Sequence, residues 1–110
     1  MALDPNRWTL KTQEAVNSAL SAARAASNPE VTPDHLLLSL LNQQEGVVLP
    51  ILQKVGVSPL TLRNKAEDAV RALPSAIGGE SRIGRDFTAL LDEADEERRG
   101  LHDEYISTEH

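Results

Sequence analysis

Cysteine is absent from the 110 residues, which excludes disulfide scaffolds and thiolate metal sites. Aromatic residues are scarce as well: Trp8, Phe87 and Tyr105 make up 3% of the chain, against 40% hydrophobic residues overall. A core built under that restriction has to come from Leu, Val and Ala, which suits closely packed helices. Positive charge is also in short supply. The formal net charge is −6, and lysines and arginines are dispersed apart from the pair Arg98-Arg99, which argues against a phosphate-backbone partner. No stretch approaches the roughly 18 apolar residues of a membrane span, and no apolar core of signal-peptide length opens the chain. The expectation is one small, soluble, cytoplasmic domain.

What is present has helical rhythm. Thr9 is placed to cap a first helix running to about Ala26, with Ala15, Val16, Ala19, Leu20, Ala22, Ala23 and Ala26 forming one stripe. Ser27-Asn28-Pro29 ends it. Thr32-Pro33-Asp34 then supplies a cap, a proline at the first helical position and an acid facing the positive end of the helix dipole. The leucines that follow, Leu36, Leu37, Leu38, Leu40 and Leu41, cover more than one face and predict a central helix. A third short helix is expected over Val47 to Val55, with Gly56 as its stop, and a fourth from the Ser58-Pro59 signal to about Leu73. "PSAIGGESRIGR", residues 74–85, contains three glycines and reads as a flexible linker. Asp86 is placed to cap a fifth helix that turns Phe87, Leu90, Leu91 and Ala94 inward and ends near Gly100. No segment sustains strand alternation, so the fold class is all-α.

An internal repeat organises these elements. Val31-Thr32-Pro33-Asp34-His35 and Ile106-Ser107-Thr108-Glu109-His110 share residue classes at an offset of 75. The same offset pairs Ala15 with Leu90, Val16 with Leu91 and Ala19 with Ala94. Residues 9–73 make a complete first unit, 74–85 the linker, and 86–110 the start of a second. The second unit stops at the cap of its next helix, as a truncation or a cut fragment would, and so few residues nucleate a helix poorly.

Chemistry-bearing clusters are thin. His35 and His110, with Asp34 and Glu109, suggest a metal pair, but zinc needs three or four converging ligands, and only repeat symmetry links these. The acidic run "LLDEADEERR" radiates around a helix axis, so a solvated face with Asp95 paired to Arg98 or Arg99 is the better reading. Nucleophile candidates are capping serines and threonines without a histidine base arranged nearby, and His102-Asp103 is a weak pair. A non-catalytic domain is expected.

"NPEVTPDHLLLSLLNQQEGVVLPILQKVGV", followed by "EYISTEH", resembles the Clp N-terminal repeat, from about Arg7 to His110. "RWTLKTQEAV" is most similar to the ClpB branch of that family. The resemblance implies a Clp-N-type helical bundle of pseudo-symmetric four-helix repeats, here one complete repeat and the first helix of a second. It further implies a parent whose AAA+ modules bind ATP and Mg and form a hexameric ring that disaggregates proteins, with an Hsp70-type chaperone system as a partner of that parent. This chain contains no G-x-x-x-x-G-K-[ST] phosphate loop, so ATP chemistry would lie outside it, with no cofactor or metal in this chain.

What the resemblance implies for this chain is capture of exposed hydrophobic segments of unfolded or aggregated polypeptides in an apolar groove. By motif, Thr9, Asp103 and Glu109 fall where relatives carry polar residues linked to substrate handling, and Leu90 and Leu91 fall near the groove. His110 falls where relatives often carry an apolar residue or histidine and is not assigned to the site. Thr9 and Glu109 also read as cap and first-turn acid. The alternative function is an adaptor-docking or tag-binding module of the ClpA or ClpC type. A third is association between subunits. Leu90 and Leu91 lack the cover that later helices would give and are expected to be partly exposed, with the fifth helix packing back on the first repeat, pairing with another chain, or moving freely.

Overall fold

The computed structural model describes residues 3–76 and 80–110. Three residues of the expected linker, 77–79, lie outside the described residues. A single 3-10 turn, Pro5–Arg7, leads into α1 (Leu10–Ala25), followed by α2 (Pro33–Asn42), α3 (Val48–Val55), α4 (Pro59–Arg71) and α5 (Arg85–Gly100). Two residues before α2 form β1 (Glu30–Val31), and two before α5 form β2 (Arg82–Ile83). The architecture is all-α, one four-helix repeat plus the first helix of a second.

Local chemistry sets the helix ends. Thr9 caps α1 by accepting the Thr12 backbone N–H at 3.3 Å, and Ser58 caps α4 by accepting that of Thr61 at 3.3 Å. Proline stands in the first turn of α2, α3 and α4, where its missing N–H costs nothing. Gly56, at φ 91°, closes α3 in the left-handed region, which glycine enters without a Cβ clash. One cap differs from expectation. Gly84, not Asp86, is the N-cap of α5, and Asp86 sits in the first turn, where its charge still faces the dipole.

The repeat is a three-dimensional symmetry. α1 and α5 each span 16 residues, and their first and last residues are offset by 75. Glu30 and Val31 pair in parallel with Arg82 and Ile83, and Trp8 forms a parallel bridge with Ile106. Under the 75-residue offset Trp8 corresponds to Ile83, and Val31 to Ile106. The segment before the second helix of each repeat therefore pairs with the segment before the first helix of the other. These links are two residues or fewer, too short to leave an alternating sequence signature, which is why the stretches read as loop. The described part of 74–85 is also tied to the first repeat: Asn28 Nδ2 donates to the Pro74 carbonyl at 3.0 Å, Ala76 N–H to Ser27 at 2.9 Å, and Ser81 Oγ to the Asn28 carbonyl at 2.6 Å.

The core joins the two units. Ala15, Val16, Ala19 and Ala23 of α1 are buried with Val31, Leu36, Phe87, Leu91 and Ile106. The alanines let the packed segments approach closely, and Phe87 fills the largest fully buried volume. Trp8, just ahead of α1, is buried in the same cluster. Burial of Phe87, Leu91 and Ile106 contributes on the order of 2 kcal/mol each and seats α5 on the first repeat. One expectation fails here: Leu91 is not partly exposed but 3% exposed, because it packs in one cluster with first-repeat residues and Ile106. Leu90 is half-buried.

Candidate apolar cleft between the repeats

Where the two units meet, a cleft of about 100 Å³ lies among α1, α2, α5 and residues 106–110. α1 contributes Thr12, Ala15 and Val16, α2 contributes Leu36 and Leu40, and α5 contributes Leu90, Leu91 and Ala94. The fourth wall is Ile106, Ser107, Thr108 and His110. Most of this lining is aliphatic, and of its polar residues Thr12, Ser107 and His110 are engaged in hydrogen bonds.

Of the five residues assigned from the resemblance, two line this cleft and three make hydrogen bonds to residues of its fourth wall. Leu90 and Leu91 line it directly. Thr9 donates its backbone N–H to the Ile106 carbonyl at 3.0 Å, and its Oγ1 lies 2.9 Å from Thr12 Oγ1. Thr12 Oγ1 in turn donates to the same Ile106 carbonyl at 2.9 Å. Asp103 and Glu109 sit behind the fourth wall: Asp103 Oδ2 is 2.7 Å from His110 Nε2, and Glu109 Oε2 accepts from Ser107 Oγ at 3.1 Å. Thr9 and Asp103 thus tie the 106–110 segment to the rest of the fold, Glu109 bonds within it, and none of the three is part of the lining.

His110, Thr12 and Ile106 belong to the site although the sequence offered no direct reason to choose them. The repeat offset held a signal for one. His35, the counterpart of His110, is buried, accepts the Thr32 backbone N–H on Nδ1 at 2.9 Å and meets Asn28 Oδ1 through Nε2 at 3.0 Å. His110 repeats this, accepting the Ser107 N–H on Nδ1 at 2.8 Å. Asn28 and Asp103 are themselves offset by 75. Both histidines are therefore capping residues of the kind usually supplied by Glu or Gln. Residues 107–110 form a turn, closed by His110 N–H to the Ser107 carbonyl at 3.0 Å.

Two titratable groups are displaced from their ordinary behaviour. Burial pushes the His35 imidazole down, with the neighbouring Asp34 charge pulling the other way. The hydrogen bond from Arg98 holds the Asp95 carboxyl below its usual range. Asp95 pairs with both arginines, with Arg98 Nε at 2.7 Å and Arg99 Nη2 at 3.0 Å. Arg98 also donates to the Asp103 carbonyl at 3.0 Å, so this pair steadies the turn that leads to the cleft wall. Among the described residues no three His, Cys, Asp or Glu side chains converge to hold a metal ion, and no helix is long and apolar enough to cross a membrane.

The profile of the Clp repeat (R) N-terminal domain matches residues 7–110. The chain is 42% identical over 110 residues to the chaperone protein ClpB of Mycobacterium tuberculosis, covering 98% of this chain and 13% of that one. It is 43% identical over 104 residues to ClpB of Corynebacterium diphtheriae, covering 92% of this chain and 12% of the relative. Among solved structures, the N-terminal domain of the ClpV1 ATPase from E. coli superposes with a TM-score of 0.84 at 22% identity, covering 92% of this chain and 62% of the other. The Hsp104 N-terminal domain from Candida albicans gives 0.80 at 17% identity, covering 91% and 67%. A complex of the ClpV N-domain with a VipB peptide gives 0.75 at 19% identity, covering 92% and 62%. At these identities the structures speak for the fold.

Proposed function

The chain belongs to the Clp repeat N-terminal domain family, and from that premise we propose that it is the substrate-binding N-terminal domain of a ClpB-type, ATP-dependent disaggregase. It captures exposed hydrophobic segments of unfolded or aggregated polypeptides and catalyses nothing itself. The observation that carries this reading is the aliphatic cleft between the repeats, with Leu90 half-exposed at it and Leu91 beneath. Such a surface gives sequence-tolerant contacts, because apolar burial has no directional requirement. The peptide bound to a ClpV N-domain is in keeping with it. The chain spans 13% of the length of the ClpB relative, so the AAA+ modules, ATP and Mg, the hexamer and an Hsp70-type system belong to the proposal for the parent. A cytoplasmic location belongs there too. Mobile attachment to the parent would raise the local concentration of bound segments near the motor.

The test is titration of the chain with reduced, carboxymethylated lactalbumin, which cannot refold, while following backbone amide shifts. Saturable shifts at Thr9, Leu90, Ser107 and Asp103 are expected, and their absence removes the reading. Leu90→Ser should weaken binding severalfold while the circular dichroism stays helical.

A second reading, docking of a folded adaptor as in the ClpA and ClpC branches, is favoured by a different surface. Ile51 and Val55 of α3 are 43% and 70% exposed, and Val47 just before the helix is 44% exposed, so α3 presents apolar side chains to solvent. Adaptor docking would be stoichiometric and would respond to Ile51→Glu while ignoring Leu90→Ser.

A further inference from the structure

We propose that His110 is a positioning residue for the cleft and that Asp103 acts through it, as a hydrogen-bond acceptor and not by touching the captured segment. The inference rests on the capture reading above and names how that site is held ready.

The ring geometry fixes the proton. A backbone N–H can only donate, so His110 Nδ1, 2.8 Å from Ser107 N, accepts and carries no hydrogen. The proton of the neutral ring then sits on Nε2, which donates to Asp103 Oδ2 at 2.7 Å. The imidazole is 0% exposed, so it has no water to substitute for either partner. It bridges the turn after α5 to the start of the cleft wall. Ser107 and Thr108, which form that wall with His110, are also held from the first repeat by the bonds of Ile106 to Arg7, Thr9 and Thr12. The parts of α1, α2 and α5 that share the cleft with His110 are Thr12, Ala15, Val16, Leu36, Leu40, Leu90, Leu91 and Ala94, none of them titratable. Asp103 is therefore the ring's charged neighbour in this relay, with Glu109 reaching the wall only through Ser107 Oγ.

The first repeat is an internal control. There the same relay runs Thr32 N–H to His35 to Asn28, and the terminal acceptor is a neutral amide oxygen. The relay geometry thus needs an acceptor at this position, not a charge. The second relay differs in exposure: Asp103 is 49% exposed, whereas Asn28 is 3% exposed. A carboxylate in that setting has two candidate jobs, holding His110 or meeting cationic groups of a bound chain, and a single substitution separates them.

Asp103→Asn keeps the acceptor and removes the charge, whereas Asp103→Ala removes both. With lactalbumin as above, Asp103→Asn should bind within about twofold of the unaltered chain. Asp103→Ala and His110→Ala should each weaken binding about tenfold, and the double variant should be no weaker than His110→Ala alone, as expected for one shared interaction. Imidazole ¹⁵N shifts give a readout that does not depend on binding: an unprotonated Nδ1 and a protonated Nε2 for His110 in the unaltered chain and in Asp103→Asn. Equal loss in Asp103→Asn and Asp103→Ala would overturn the proposal in favour of a direct charge contact. Normal binding by Asp103→Ala would overturn it too. If His110→Ala does not fold, the two half-exposed Asp103 variants decide alone. If the unaltered chain shows no saturable binding, the capture reading falls and takes this inference with it, an outcome distinct from the others.

Discussion

Ser27 and His102 hold φ angles of 57° and 60°, the same left-handed step just after α1 and α5. Each lets the next residue reach back, with Asn28 N–H donating to Ala23 at 2.9 Å and Asp103 N–H to Arg98 at 3.0 Å. That is the bond pattern by which helices end, usually with glycine at the left-handed position. An L-residue there costs roughly 1–2 kcal/mol. His102 is exposed, so His102→Gly should stabilise the fold by about 0.5 kcal/mol after the added chain entropy of glycine is subtracted. Thermal unfolding followed by circular dichroism should show a midpoint a few degrees higher. A lower midpoint would mean that the imidazole makes a stabilising contact.

Acid should reach the fold in two separate steps. His35 is held neutral by burial below its ordinary value of 6.5, so below that pH the unfolded chain takes up a proton that the folded one refuses. Unfolding then binds protons, and stability is full above about 6.5 and falls as the pH drops below it. Asp95, held by Arg98 below its ordinary 3.8, contributes stability above that value and loses it as pH falls through its lower folded value. His35→Gln keeps a capping acceptor for Thr32 and removes the titration. It should flatten only the upper limb of a denaturation series run from pH 7.5 to 3, leaving the lower limb as it was. An unchanged upper limb would assign that limb to another group.

Much of this arrangement was legible beforehand because helix signals are local. Thr9, Thr32-Pro33 and Ser58-Pro59 announce helix starts within three residues, and the alanine stripe of α1 follows the helical period. What stayed hidden depends on contacts between distant residues. The burial of Trp8 follows from its bridge to Ile106, 98 positions away. Gly84 displaced Asp86 as the cap because the β1–β2 pairing sets where α5 starts. Leu91 is covered by the first repeat and Ile106, where later helices were expected to matter. The candidate site was half visible: Leu90 and Leu91 came from their motif, while His110 becomes intelligible only beside the buried His35.

Gly56 should be the least replaceable exposed glycine among the described residues. Its φ is 91°, and a Cβ there would meet nothing within 4 Å, so the cost of Gly56→Ala is backbone strain alone. The expected loss is about 1 kcal/mol, read as a lower urea midpoint with unchanged slope. A neutral result would show that the α3–α4 turn relaxes to another conformation without penalty.

The two adjacent leucines of α5 should separate folding from binding. Leu91 is buried in the joint core of both repeats, and truncation there forfeits contacts that cannot fully re-form around the cavity. Leu91→Ala should cost about 3 kcal/mol and loosen α5 from the first repeat, so any loss of binding it causes is ambiguous. Leu90 is half-buried and packs only against the edge of that core. Leu90→Ala should cost about 1 kcal/mol or less, yet weaken binding of the unfolded probe severalfold because its methyl groups line the cleft. Urea denaturation and probe titration on the same two variants check both halves. Equal stability losses, or binding unaffected by Leu90→Ala, would show that the half-exposed leucine is not the contact residue of this cleft.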